Sequence, residues 1–175
     1  MSGHNKWSKI KHKKAASDAQ KSKIFGKVGR LITVESKKSG GIESPGLRAV
    51  IEKAKAVNMP KDAIERAVKK GAGADASQME SITYEAYGPG GVALIIEALT
   101  DNRNKAAAEI KHILSKQGLS LAGIGAATWA FEKEGSEWTP KTTVEISEED
   151  GQKLEQIIEE LEENDEVQEV FTNAE

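Results

Sequence analysis

The chain has 175 residues, enough for one domain or two small ones whose cores need no covalent staples. It contains no cysteine, which excludes disulfides and thiolate metal sites. The formal net charge of -3 conceals a segregation: residues 1–70 hold 18 Lys+Arg and 6 Asp+Glu, and residues 71–175 hold the other 7 and 22, so a module of +12 precedes one of -15. Such a division suggests a basic module that meets polyanions, joined to an acidic one that repels them. The basic start lacks the apolar core of a secretory signal, and the longest aliphatic run, Val92–Ile96, is far below the roughly 20 residues that span a bilayer. A cytoplasmic protein without membrane contact is expected.

Residues 1–16 show no apolar periodicity, only Trp7 and Ile10 among charges, and are expected to be a flexible basic arm. Ser17 with Gln20 reads as a capping box, and Ile24, Phe25, Val28, Leu31 and Ile32 recur at helical spacing until Gly40-Gly41. Ser44-Pro45 starts a second helix, with Leu47, Val50, Ile51 and Ala54 inward and an end near Asn58. A third runs from Pro60 through Ile64, Ala67 and Val68 and stops at Gly71. Each helix has one narrow apolar stripe, so the three must share a core, and "GAGADASQ" (71–78) reads as a linker.

Beyond the linker the period changes from 3.6 to 2. A strand at 82–87, a Gly/Pro turn and an apolar strand from Val92 precede a helix over 103–117, with Ala107, Ile110, Ile113 and Leu114 inward. "AATWAFEKE" and "KTTVEI" alternate as strands, Ser147 caps a helix with Leu154, Ile157, Ile158 and Leu161 inward, and "EVQEVFTN" closes the chain as a strand. The predicted fold class is α+β: an N-terminal three-helix domain (17–73) followed by a ferredoxin-like βαββαβ domain (79–175) with an extra N-terminal strand.

The basic front carries the functional signal. "GHNKWSKIKHKKAA" (3–16) holds five lysines and no acid. Lys6, Lys9, Lys11, Lys13, Lys14, Lys21, Lys23, Lys27 and Arg30 are candidates to neutralise phosphates and release counterions, with His12 among them. Trp7 offers a plane on which a base can stack, or an apolar anchor for the arm. The second and third helices have the outline of a helix-turn-helix, which any three-helix bundle contains; Lys61, Arg66, Lys69 and Lys70 are secondary candidates, suited to phosphates and not to bases. Nucleic acid, duplex DNA or ribosomal or transfer RNA, is therefore the expected partner.

Catalytic patterns are absent. His4, His12 and His112 lack metal-ligand spacing, "YGPGG" reads as a hairpin turn and not as a phosphate cradle, and Asn102 or Asn104 suits a helix cap. No enzyme activity, cofactor, metal or small-molecule substrate is expected. The ten acids from Glu148 to Glu166 read as a solvated face.

The stretches "GHNKWSKIKHKKAASDAQKSKIFGK", "NMPKDAIERAVKKGAG", "YEAYGPGGVALIIEALTDNRN" and "PKTTVEI...VQEVFTNAE" resemble, in order along nearly the whole chain, the YebC/PmpR family, which includes the mitochondrial translational activator of cytochrome c oxidase. The resemblance implies a helical domain followed by α/β domains and a DNA-binding transcriptional regulator. For other members it implies a role in translation at the ribosome, relieving stalls. Family members usually carry a third domain between the strands matching "WAFEKEG" and "PKTTVEI"; here only residues 136–140 join them. Ser44-Pro45-Gly46 stands where an Asn-Pro-Arg type segment is common, which removes one basic candidate.

Overall fold

The computed structural model describes residues 18–73 and 79–175. Its contacts divide the chain into two compact units, with the division between Glu80 and Ser81. The α+β class holds, helices first and mixed α/β after.

The helical unit contains α1 (Asp18–Ser39), α2 (Pro45–Ala56) and α3 (Lys61–Ala72). α1 ends where Gly40 and Gly41 take positive φ values of 64° and 79°, a backbone that L side chains resist. α2 begins with Ser44 accepting the Leu47 N–H through Oγ at 3.1 Å and with Pro45 in the first turn, where its missing N–H is no loss. It ends at Ala56, and the turn that follows passes through Asn58, which adopts φ 61°. Ile32, Leu47, Ala54, Met59 and Ile64 form the shared core, with Phe25, Val28, Val50, Ile51, Ala67 and Val68 around it.

Gly71 does not stop α3; it lies buried inside it. A Cβ there would overlap the carbonyl oxygen of Thr33 and stand 2.7 Å from the Ser36 Cβ. Its absence lets α1 and α3 approach closely enough for the Ser36 hydroxyl to donate to the Val68 carbonyl at 2.6 Å. Gly29 faces Met59 and Gly41 faces Ala72, so the two helices run side by side in the same direction with their C-termini together.

The second unit holds β1 (Glu80–Tyr87), β2 (Ala93–Thr100), α4 (Arg103–Ser115), β3 (Leu121–Ala122), β4 (Phe131–Glu134), β5 (Glu137–Pro140), α5 (Glu148–Glu163) and β6 (Val167–Thr172). One sheet has the order β3-β1-β2-β6, and β4 and β5 pair only with each other. In a single ferredoxin-like sheet β5 would lie beside β2; here the extra strand β1 holds that place. The reason is local: Gly88–Val92 joins β1 to β2 too tightly for anything but a hairpin, closed by Gly88 N–H donating to the Val92 carbonyl at 2.8 Å.

β2 is buried along nearly all its length because both sheet faces are covered. Leu94, Ile96 and Ala98 meet α4 and α5 through Ile110, Leu114, Leu154, Ile157 and Leu161. Ala93 and Ile95 meet the displaced hairpin through Phe131 and Trp138.

Two strand boundaries differ from the sequence reading. Of "AATWAFEKE" only Phe131–Glu134 is strand, preceded by a 3₁₀ turn at Thr128–Ala130. "KTTVEI" is extended chain with one bridge, Val144 to Ala174, and its place as a strand goes to Glu137–Pro140. Asn173 fixes that crossing: its Oδ1 accepts from Ala93 N–H at 2.7 Å and its Nδ2 donates to the Thr142 carbonyl at 2.9 Å. In α4 Ala106 is fully buried with Ile110 and Leu114, whereas Ala107 is half-buried.

Candidate nucleic-acid interface

Seven of the candidates, Lys6, Trp7, Lys9, Lys11, His12, Lys13 and Lys14, lie outside the described residues. The remaining α1 candidates follow helical geometry: Lys23, Lys27 and Arg30 are spaced four and three apart, which sets them on one stripe. Lys21 and Lys23 are exposed, and Lys27 and Arg30 half-buried. Such aliphatic stems can lie along the helix surface while the charged heads stay in water.

On α3 the four secondary candidates divide into two pairs. Lys61 and Arg66 face the helix's own acids: Lys61 Nζ is 4.0 Å from Glu65, and Arg66 is 3.7 Å from Asp62. Lys69 and Lys70 occupy the last turn, where cations complement the negative end of the helix dipole. α1 and α3 end together, so Lys37 and Lys38, in the last turn of α1, share this end of the unit with Lys69 and Lys70. Lys38 also bonds Glu35 at 2.9 Å. The sequence reading passed over Lys37 and Lys38; their place before Gly40-Gly41 was the available signal.

The second unit is electrostatically opposite. Several of its bases are engaged with its own acids: Lys105 with Glu166 at 3.2 Å, Lys116 with Glu160 at 2.8 Å and Lys153 with Glu149 at 3.1 Å. The Lys116 hydrogen bond holds the Glu160 carboxyl below its ordinary pKa, and the Glu149 hydrogen bond raises that of Lys153. Asn102 caps α4 by accepting the Lys105 N–H at 3.1 Å, so the polar residues there serve the helix end. Among the described residues no group of three His, Asp or Glu side chains is arranged to hold a metal ion.

Sequence reasoning missed Glu85, which looks like an ordinary outward acid in an alternating strand. Its side chain is buried, 5% exposed, and its carboxylate accepts three backbone N–H groups: Gly125 at 2.7 Å, Ala127 at 2.9 Å and Thr128 at 2.7 Å. Burial acts to raise its pKa, and the three donors outweigh it and hold the carboxyl below its ordinary value. The clamp fixes the loop between β3 and β4.

The TACO1/YebC protein N-terminal domain model matches residues 5–74, and the model of the TACO1/YebC second and third domain matches 79–137 and 135–174. The two pieces meet at the β4–β5 turn. A "probable transcriptional regulatory protein" of Fervidobacterium nodosum is 42% identical over 99% of this chain and 93% of its own length. That alignment is 235 positions long, so the relative carries a long segment with no counterpart among these 175 residues. A protein of the same description from Petrotoga mobilis is 48% identical over all of this chain and 71% of its own length; one from Thermosipho africanus is 54% identical over 82% and 58%. The crystal structure of a conserved hypothetical protein from Aquifex aeolicus superposes with a TM-score of 0.86 at 33% identity, covering 97% of this chain and 96% of that one.

Proposed function

This chain belongs to the TACO1/YebC family, and we propose that it is a nucleic-acid-binding regulatory protein, without enzymatic activity, that controls transcription by binding duplex DNA. The carrying observation is the segregation of charge: residues 1–70 hold 18 bases against 6 acids. Phosphates meet the arm (1–16) and the helical module (17–73) at Lys6, Lys9, Lys11, Lys13, Lys14, Lys21, Lys23, Lys27 and Arg30, with Trp7 and His12 among them. Lys69 and Lys70 extend the contact, while the acidic module (79–175) keeps clear of the polyanion. The relatives' names support regulation of transcription, and the absence of a membrane-length apolar helix among the described residues fits a cytoplasmic site of action.

A second reading, an RNA-binding translation factor that acts at the ribosome, is favoured by one feature of α3. A helix that reads a groove needs side chains suited to base edges, and α3 has no Asn or Gln and turns Lys61 and Arg66 toward Glu65 and Asp62. Phosphate contact without base readout suits irregular RNA at least as well as a promoter. Sedimentation of lysate on sucrose gradients with and without RNase, beside salt-titrated binding to duplex DNA, separates the two. RNase-sensitive co-migration with ribosomes and only sequence-independent DNA affinity would defeat the transcriptional reading.

A further inference from the structure

Where β1 ends, the α/β unit presents three large apolar side chains to solvent: Ile124, fully exposed, Trp129 at 57% and Tyr87 at 37%. Two of them are tied together. Trp129 Nε1 donates to the Ala126 carbonyl at 2.9 Å and to Tyr87 Oη at 3.0 Å, and the Tyr87 hydroxyl donates to the same Ala126 carbonyl. Ile124 stands at the tip of that loop between Gly123 and Gly125, and Gly125, with φ 86°, donates its N–H to Glu85.

A buried carboxylate thus holds in one shape a loop whose apolar side chains point outward. None of the three belongs to the apolar clusters of the core, and a pre-ordered apolar surface is what an interface requires. The surroundings define what can approach. No charged residue lies between Lys116 and Glu132. Beyond the patch the charge is acidic: α5 opens with Glu148, Glu149 and Asp150, and Asp150 borders the turn after Tyr87, where Ile146 fills the space a Cβ would take at Gly90.

We propose that Ile124, Trp129 and Tyr87 form a docking site for a protein segment that is rich in lysine or arginine and carries apolar anchor side chains. The Trp129 N–H and Tyr87 hydroxyl are satisfied within the loop, so affinity comes from contact area. The excess of 22 acids over 7 bases in residues 71–175 repels nucleic-acid phosphates and anionic headgroups and attracts basic peptides. A second copy of the same patch would bring two acidic units together. The site is distinct from the phosphate contacts proposed for residues 1–73 and gives the acidic module a partner class of its own.

The test is fluorescence anisotropy with the full chain and a fluorescein-labelled lysine-rich peptide carrying a central Leu-Trp pair. Ile124→Ser should weaken binding by roughly tenfold or more, the loss of one buried aliphatic side chain, and leave thermal unfolding unchanged. Trp129→Ser should act likewise; should it disturb the loop, Ile124→Ser alone decides, since its side chain is wholly in solvent. A peptide with Ser-Ser for Leu-Trp should not distinguish native from variant chain, and its glutamate counterpart should not bind. Equal affinity of native and Ile124→Ser chains for the Leu-Trp peptide would overturn the proposal. So would an Ile124-dependent interaction found instead with an oligothymidine strand, with phosphatidylglycerol vesicles, or between copies of the chain in sedimentation equilibrium.

Discussion

Glu85→Gln tests the carboxylate clamp. In the native chain Oε1 accepts from Ala127 and Thr128 and Oε2 accepts from Gly125. A glutamine can keep its oxygen on the first two donors, which turns its amide nitrogen toward the Gly125 N–H. One charge-assisted bond is lost and a donor is left facing a donor, each worth about 1–3 kcal/mol, so the α/β unit should lose roughly 2–6 kcal/mol. Amide hydrogen exchange reads this directly: protection of Gly125, Ala127 and Thr128 should fall well before that of the β2 amides. The pH dependence has a definite sign. A carboxyl held below its unfolded pKa stabilises the fold at pH above that unfolded value, and the contribution is lost as pH falls through the lowered folded value. Native loop protection should therefore fall in acid, and the Glu85→Gln chain should lack that component. Unchanged exchange at the three amides would refute the clamp.

A pair of alanine substitutions should act with opposite signs. Gly71→Ala drives a methyl into Thr33 and Ser36 and should cost the helical unit about 1–3 kcal/mol in urea unfolding. Gly26→Ala, with nothing within 4 Å, should stabilise it by about 0.5–1 kcal/mol. Replacing Lys9, Lys11, Lys13 and Lys14 by serine should reduce the slope of log affinity for duplex DNA against log salt by roughly 3 to 4, and an unchanged slope would make these lysines a solubilising tail. Lengthening the Gly135-Ser136 turn with a flexible Gly/Ser segment should change unfolding of the α/β unit by no more than about 1 kcal/mol, since loop closure depends weakly on length. The same insertion between Gly90 and Gly91, where Gly90 packs on Ile146, should destabilise far more on the same urea curve.

The helices and the charge map were legible because both follow from local pattern. Ser44-Pro45, Gly40-Gly41 and Ser147 set helix ends through chemistry that needs no distant partner, and the paired acids beside Lys61 and Arg66 stand at the i,i+4 spacing that the sequence displays. Gly71 was misread because a glycine near a helix end looks alike whether it breaks the helix or lets another backbone approach. β4 and β5 were displaced for a similar reason. "KTTVEI" is rich in β-branched residues, yet Glu134-Gly135-Ser136-Glu137 closes a two-residue turn, Gly135 with φ 63°, that fixes the register Lys133 to Trp138 and draws the strand forward. Glu85 and Ile124 were illegible in principle, since burial of an acid and exposure of an isoleucine each depend on where a loop from another part of the chain is tied.

The place where the two matched pieces of the α/β unit meet bears on what the turn there can tolerate. The two pieces matched by the model of the second and third domain meet at the β4–β5 turn, and here Phe131 meets Trp138 edge-on at 6.5 Å while Trp138 Nε1 donates to Glu97 at 2.8 Å. The hairpin is thus anchored to β2 at its base, and the turn lies at the free end. The contacts of Glu85 come from the loop after β3, those of the Ile124 loop from β1, β2 and the base of the hairpin, and those of the helical core from the three helices, none of them from the turn itself. Length at Gly135-Ser136 can therefore vary without reshaping either surface. The basic face proposed for one unit and the apolar site proposed for the other can therefore be tested separately, since each rests on a core that closes on its own residues.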